Sequence, residues 1–223
     1  EGHPCLELPT GSGKSHIVAA LCQDALTSWP GTRVLMLTHV KELIRQNANK
    51  MREHWPDAPL GIYSAGLNQR ELGQPITFAG IQSVRKRASE IGHIDLVIVD
   101  ECHLINHKQE GGYRGLIDDL TAINPALRVV GLTATPYRLG HGLITDQPAL
   151  FSVLIQPTTM EELIHKKYLA PLRSKRTDIR MSVEGVRKRG GDYREDDLLK
   201  ALENFNTMSA VHEAMRRAEH CQS

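Results

Sequence analysis

The sequence predicts an α/β domain built on a mostly parallel sheet flanked by helices, and three observations carry that expectation. Short apolar or β-branched runs alternate with stretches of helical periodicity. One run, Ile94-Asp95-Leu96-Val97-Ile98-Val99, is continuously apolar after its second residue, as a central parallel strand buried on both faces must be. A glycine-rich segment, Pro9-Thr10-Gly11-Ser12-Gly13-Lys14-Ser15, separates a strand-like stretch from a helix-like one. Alternation of this kind implies right-handed crossovers.

Taken in order, Cys5 to Leu8 reads as a short buried strand, and Ser15 to Leu26 as a helix with Ile17, Val18, Leu21, Cys22 and Ala25 at helical spacing. Further strands are expected at Arg33 to Leu37, Leu60 to Tyr63, Ile76 to Ala79, Ile94 to Val99 and Leu127 to Leu132. Helical periodicity fills Val40 to Trp55, Gly80 to Ala88 and Tyr113 to Ile123. After Pro136 the pattern loosens. From Asp196 to Cys221 it becomes helical again, with Leu198, Leu199, Leu202, Phe205, Met208, Val211 and Met215 as an apolar stripe read as packing. The chain therefore divides into residues 1–140, a looser segment 141–195, and a helical connection 196–223.

At 223 residues and 40% hydrophobic content, the chain can bury a sizeable core without disulfides. Cys5, Cys22, Cys102 and Cys221 are scattered without C-x-x-C spacing, which argues for reduced thiols and against zinc. His103 and His107 form the one close histidine pair beside an acidic run, and solvated loop histidines are the plainer reading. No apolar run approaches the ~20 residues that span a bilayer, and no signal peptide is visible. A cytoplasmic location is expected.

Gly11 and Gly13 open backbone angles closed to other residues, so successive N–H groups can wrap a phosphate at the start of the following helix. Lys14 would reach the β- and γ-phosphates, and the Ser15 hydroxyl would ligate Mg²⁺. The pattern G-x-x-x-x-G-K-[ST] asks for glycine where this chain has Leu8, so its first position departs. Strand, glycine loop and helix nevertheless follow in the order the mechanism needs.

The second half of the site follows Val99. Asp100 and Glu101 stand at the carboxyl end of the central strand, where open α/β sheets bind ligands. Asp100 would hold Mg²⁺, and Glu101 would orient and deprotonate an attacking water. A helix cap or solvated turn is the alternative for such a pair considered alone.

Five segments in order give a specific resemblance. Pro9 to Ser15, Thr38-His39-Val40-Lys41-Glu42-Leu43, Phe78-Ala79-Gly80-Ile81-Gln82-Ser83-Val84, Asp100-Glu101-Cys102-His103 and Thr133-Ala134-Thr135 resemble the motifs of the first RecA-like domain of DExH-type superfamily 2 helicases and translocases. Three phrases, His39 to Leu43, Gly131 to Gly140 and Lys167 to Pro171, look most like the RadD group of bacterial DNA-repair ATPases. The resemblance implies a P-loop ATPase in which Thr10 to Ser15 bind ATP and Lys14, Asp100, Glu101 and His103 act catalytically with Mg²⁺. It also implies that Thr133, Ala134 and Thr135 couple nucleotide state to domain movement through His103. For nucleic acid it points to Thr38, His39, Lys41, Arg45, Gly80, Gln82 and Ser83.

Charge qualifies the nucleic-acid expectation. The totals of 27 basic and 26 acidic residues attract nothing at long range. Between His165 and Arg194, however, ten basic side chains face three acidic ones. That segment reads either as a phosphate-neutralising stripe or as a solvated hairpin tip at Arg187-Lys188-Arg189. Lys41 and Arg45 share a helix face at i and i+4, and Arg85-Lys86-Arg87 could extend the same track or form an exposed face. With 4% aromatic residues, base stacking is a minor term and recognition falls on the backbone.

The resemblance further implies a second RecA-like domain with an arginine finger, and both ends of the sequence read as truncated. A fragment without that finger is expected to have weak or negligible ATPase activity and no unwinding. DNA is the expected partner and RNA a possible one. An RNA helicase, a restriction-enzyme motor subunit and a nucleotide-binding module without motor activity remain open alternatives.

Overall fold

The computed structural model describes residues 2–105, 112–138, 142–146, 149–171, 183–189, 192–193, 195–203 and 207–218. They fall into two compact units, Glu1–Leu163 and Ile164–Ser223.

The first unit opens with β1 (His3–Glu7), α1 (Lys14–Ser28), β2 (Val34–Thr38), α2 (Lys41–His54) and β3 (Leu60–Ser64). The two-residue β4 (Gln69–Arg70) precedes β5 (Ile76–Gly80), the single-turn helices α3 (Ile81–Val84) and α4 (Ala88–Ile91), and β6 (Leu96–Asp100). Then come α5 (Gly112–Ile123), β7 (Arg128–Thr133), a small hairpin of β8 (Tyr137–Arg138) with β9 (Gly142–Leu143), and β10 (Phe151–Ile155). Helix α6 (Met160–His165) closes the series. Eight strands form one sheet in the order β10-β1-β7-β6-β2-β5-β3-β4, parallel throughout except for β4. The expected α/β class and its mostly parallel sheet are therefore observed.

Side-chain alternation divides the core in two. Leu35, Leu37, Val97 and Val99 face α3, α4 and α5, whereas Val34, Met36 and Ile98 face α1 and α2. Both faces are covered, which is why these strands read as unbroken apolar runs.

Besides short elements with no counterpart in the expected pattern, β4, β8, β9 and α6 here and the two-residue strands of the second unit, two departures bear on the core. The helix anticipated over Gly80 to Ala88 is two short helices, because Arg87 leaves helical geometry at φ −127° and its carbonyl accepts the N–H groups of Glu90 and Ile91. Its guanidinium also bonds Glu90 at 2.6 Å, so Arg87 starts the second turn instead of continuing the first. Strand β10 was not anticipated. It pairs in parallel with β1 as the sheet edge, and Phe151 enters the core against Gly131 of β7. A Cβ at Gly131 would lie 2.7 Å from both the Phe151 ring and Cys102 Sγ.

A stability prediction arises from that contact. Gly131→Ala should cost roughly 1–3 kcal/mol by overpacking, which for a chain of this size lowers Tm by roughly 2–12 °C. Gly115→Ala, in α5 with nothing within 4 Å of the new carbon, should instead hold or raise Tm. Thermal unfolding followed by circular dichroism reads both, and equal shifts would rule out the packing explanation.

In the second unit, β11 (Lys188–Arg189) and β12 (Asp192–Tyr193) pair antiparallel, followed by α7 (Glu195–Glu203) and α8 (Thr207–Ala218). The basic run at Arg187 thus leads into a hairpin, and the Arg187 guanidinium is paired with Asp197 at 2.8 Å. Arg173, Lys175, Arg176 and Arg180 lie outside the described residues, as do His107 and Phe205. Leu199, Leu202, Met208, Val211 and Met215 are exposed where packing was expected. The stripe is divided between α7 and α8, so its spacing does not form one continuous face. Among the described residues, no helix is long and apolar enough to cross a membrane.

Candidate active site

The loop after β1 begins with Leu8, whose side chain is buried in the α1/α2 core and whose N–H donates to the Thr133 carbonyl at 2.8 Å. The position where glycine was expected is therefore a packing position tied to β7. The part of the loop free to face a ligand starts beyond it. Gly11 and Gly13 adopt φ +80° and +84°, values that favour glycine. Helix α1 starts without a side-chain cap and with no acidic residue in its first turn, so its partial positive end is not neutralised locally. Ser12 Oγ is buried without a hydrogen-bond partner.

The register places the second half beside it. β7 lies between β1 and β6, pairing Glu7 with Thr133 and Asp100 with Leu132, so the loop, the acidic pair and the threonines leave the sheet at one edge. Lys14 Nζ donates to Glu101 Oε1 at 3.3 Å, although 87 positions separate them in sequence. Lys14, Ser15, Asp100 and Glu101 line one cavity of about 180 Å³. Its remaining walls include Val18, Met36, Phe78 and Leu132, and this apolar lining strengthens each polar contact within.

Asp100 is 9% exposed and accepts two hydrogen bonds, from the Glu101 N–H at 3.0 Å and from Asn47 Nδ2 at 3.0 Å. Glu101 sits in the left-handed region at φ +50°, at a cost of roughly 1–3 kcal/mol. This turn aims its carboxylate across the sheet edge, between Lys14 and the His103 ring, whose Nδ1 is 3.4 Å from Oε2.

His103 Nδ1 lies 2.8 Å from Thr133 Oγ1 and 3.4 Å from Thr135 Oγ1. The Thr133 hydroxyl also accepts the Thr135 N–H at 3.0 Å and lies 3.2 Å from the Thr135 carbonyl. The direction of its bond to His103 follows the tautomer of that ring. Ala134 lies between the two threonines and bridges none of these bonds.

Behind the site, Cys102 Sγ is 3.5 Å from Cys5 Sγ, and that contact together with burial raises the Cys102 thiol far above its ordinary pKa. Both thiols are structural: the position between Glu101 and His103 packs inward.

The residues anticipated for nucleic acid lie along the same edge of the sheet but one strand further on. Thr38 and Gly80 are register partners at the ends of β2 and β5, so the two segments emerge side by side. Both are buried, and Thr38 Oγ1 has no hydrogen-bond partner. His39, Lys41, Arg45 and Gln82 are exposed, as are Arg85 and Lys86. Ser83 Oγ accepts the Ala65 N–H at 2.9 Å and so fixes the loop after β3. Thus the rim of the surface is formed by side chains of α2 and α3 while the strand ends sit beneath them.

The donor set fits a metal-bound triphosphate. The glycine cradle, the uncapped helix start and the orphaned Ser12 hydroxyl suit phosphate oxygens. Ser15 and Asp100 are hard oxygen donors of the kind Mg²⁺ takes. Among the described residues, no group of three or more His, Cys, Asp or Glu side chains could hold a metal by itself. Mg²⁺ held partly by substrate phosphates and water does not need one.

Asn47 is the site residue that motif reading missed. The sequence signal was a polar residue at i+4 from Leu43 and i−4 from Met51, inside the inward stripe of an amphipathic helix.

Comparison with known proteins gives the family and the fold relatives of this chain. Residues 1–138 match the family described as "Type III restriction enzyme, res subunit". A "51.5 kDa protein" of Lactococcus phage (isolate 7-9) is 29% identical over 213 residues, which cover 96% of this chain and 41% of the phage protein. The type I restriction enzyme EcoAI endonuclease subunit of Escherichia coli is 24% identical over 193 residues, covering 83% of this chain and 23% of that subunit. The chain thus spans less than half the length of either relative. In fold it is similar to the crystal structure of the UvsW helicase from bacteriophage T4, with a TM-score of 0.57 and 22% identity over 70% of this chain and 54% of that one.

Proposed function

We infer, from the premise that this chain belongs to the family described as the type III restriction enzyme, res subunit, that it is the ATP-binding half of a superfamily 2 motor driven along DNA by ATP hydrolysis. The observation that carries the reading is the meeting of Lys14 with Glu101 at 3.3 Å on the rim of the cavity shared by Ser15 and Asp100.

The chemistry assigned to each residue follows from its position. The N–H groups from Gly11 to Ser15 cradle the phosphates, and the Lys14 ammonium, with three donors of which Glu101 uses one, neutralises the β- and γ-oxygens. Held by Ser15 and Asp100, Mg²⁺ would supply charge neutralisation on the phosphate oxygens. Glu101 takes a proton from water as the water oxygen bonds the γ-phosphorus and the bond to the β,γ-bridging oxygen breaks, leaving ADP and phosphate. His103 links Glu101 to Thr133, so a change at the γ-phosphate is felt on β7. A second RecA-like domain in the same protein, supplying an arginine finger, completes the motor. A cytoplasmic setting goes with this reading.

For the DNA track we assign Lys41 and Arg45, with His39 and Gln82 beside them, the half-buried Ser83 fixing the neighbouring loop, and the buried Thr38 and Gly80 supporting the rim from beneath. Each neutralised phosphate contributes about 0.9 to the slope of log K against log salt. Lys41→Ala with Arg45→Ala should therefore weaken binding of a labelled oligonucleotide and lower that slope by about 1–2. Fluorescence anisotropy across a salt series reads it, and an unchanged slope would remove these residues from the track.

Two finer assignments share this motor. The three phrases beginning at His39, Gly131 and Lys167 support a RadD-like DNA-repair ATPase, while the family description and the EcoAI relative support a restriction motor. ATPase assays of the protein that carries the second RecA-like domain, with single-stranded DNA, duplex DNA and RNA, test the reading. Stimulation by DNA is expected. Stimulation by RNA alone would make it an RNA motor, and none by any nucleic acid would reduce it to a nucleotide-binding module.

A further inference from the structure

Asn47 stands on α2 where helical spacing demands an apolar residue: Leu43, Asn47 and Met51 follow one another at i, i+4 and i+8, and all three line the cavity of Lys14, Ser15, Asp100 and Glu101. A polar side chain in such a stripe costs stability unless its hydrogen bonds are made. Asn47 makes one to a functional atom: Nδ2 donates to Asp100 Oδ2 at 3.0 Å. The other carboxylate oxygen, Oδ1, is already held by the Glu101 N–H at 3.0 Å. These two donors replace much of the hydration that Asp100 loses at 9% exposure, and together they fix the plane of its carboxylate.

We propose that Asn47 is a positioning residue that holds the Asp100 carboxylate in the orientation in which it takes a divalent cation. The backbone donor at Glu101 fixes one oxygen, but a carboxylate held at one point still rotates about its Cβ–Cγ bond. The second donor, brought in from another element of the fold, stops that rotation. It leaves each oxygen a remaining lone pair for metal or metal-bound water. Partners that orient metal ligands in this way are worth about 10–100-fold in metal affinity. The proposal rests on the reading of Asp100 as a Mg²⁺ ligand and adds to it the group that prepares the ligand.

The test is a Mg²⁺ titration of fluorescent ATP-analogue binding by the wild-type chain, Asn47→Ala and Asn47→Leu, each repeated in EDTA. The half-saturating Mg²⁺ concentration is expected to rise at least about 10-fold in both variants, with metal-free binding unchanged. Asn47→Leu keeps a side chain of similar size while removing the amide that donates to Asp100, so it carries the test if the alanine variant fails to fold. Unchanged Mg²⁺ half-saturation in the leucine variant overturns the proposal. So does an equal loss of metal-free binding, which would mark Asn47 as merely structural. A wild-type chain whose nucleotide binding ignores Mg²⁺ would instead overturn the reading of Asp100 itself.

Discussion

Replacing Lys14 with alanine is expected to abolish measurable ATP binding while leaving the fold intact. The ammonium is the cation that faces both the phosphate cradle and Glu101. Two charge-assisted hydrogen bonds to phosphate are worth roughly 3–6 kcal/mol, which weakens Kd by about 10²–10⁴-fold. A second effect acts in the same direction: without Lys14, the Glu101 carboxylate would face an incoming polyanion without the ammonium between them. Stability should change little, because the Lys14–Glu101 pair is partly solvated, with side-chain exposures of 23% and 29%. Isothermal titration with an ATP analogue, alongside a thermal melt, separates the two quantities. Wild-type affinity in this variant would remove the loop from the nucleotide site.

Glu101→Gln should have the opposite signature. The amide is the same size, its oxygen can still accept from Lys14, and nothing in the cradle changes, so nucleotide binding is retained. What disappears is the base. Loss of a general base costs about 10²–10⁴-fold in turnover. ATPase assays of the DNA-stimulated protein should show kcat falling by that factor with KM nearly constant. If both substitutions impaired binding equally, the division of labour between Lys14 and Glu101 would be wrong.

Much of this site is legible in the sequence itself. Strands β1, β2, β3, β5, β6 and β7 and helices α1, α2 and α5 appear where apolar periodicity placed them, because central parallel strands and amphipathic helices leave strong local signals. Gly11 and Gly13 announced their left-handed backbone by residue type. Strand β10 gave no such signal. It is an edge strand with Val153 and Ile155 exposed, and it is placed by Phe151 finding the space that Gly131 leaves open. The break at Arg87 leaves no local signal for a related reason: Ile81, Val84, Ala88 and Ile91 keep a helical stripe across it, so periodicity passes through a point where the backbone does not.

From its residues alone this chain declares an α/β architecture and the chemical groups of a nucleotide site, since backbone freedom, side-chain chemistry and apolar spacing are local properties of the sequence. Only the folded sheet decides which groups meet. The order β1-β7-β6 sets Lys14 beside Glu101, the left-handed turn at Glu101 aims that carboxylate, and α2 brings Asn47 onto Asp100. Such contacts join positions 53 to 87 residues apart. They depend on strand order and helix placement, which are settled by burying two apolar faces at once and leave no mark within any single segment of the chain.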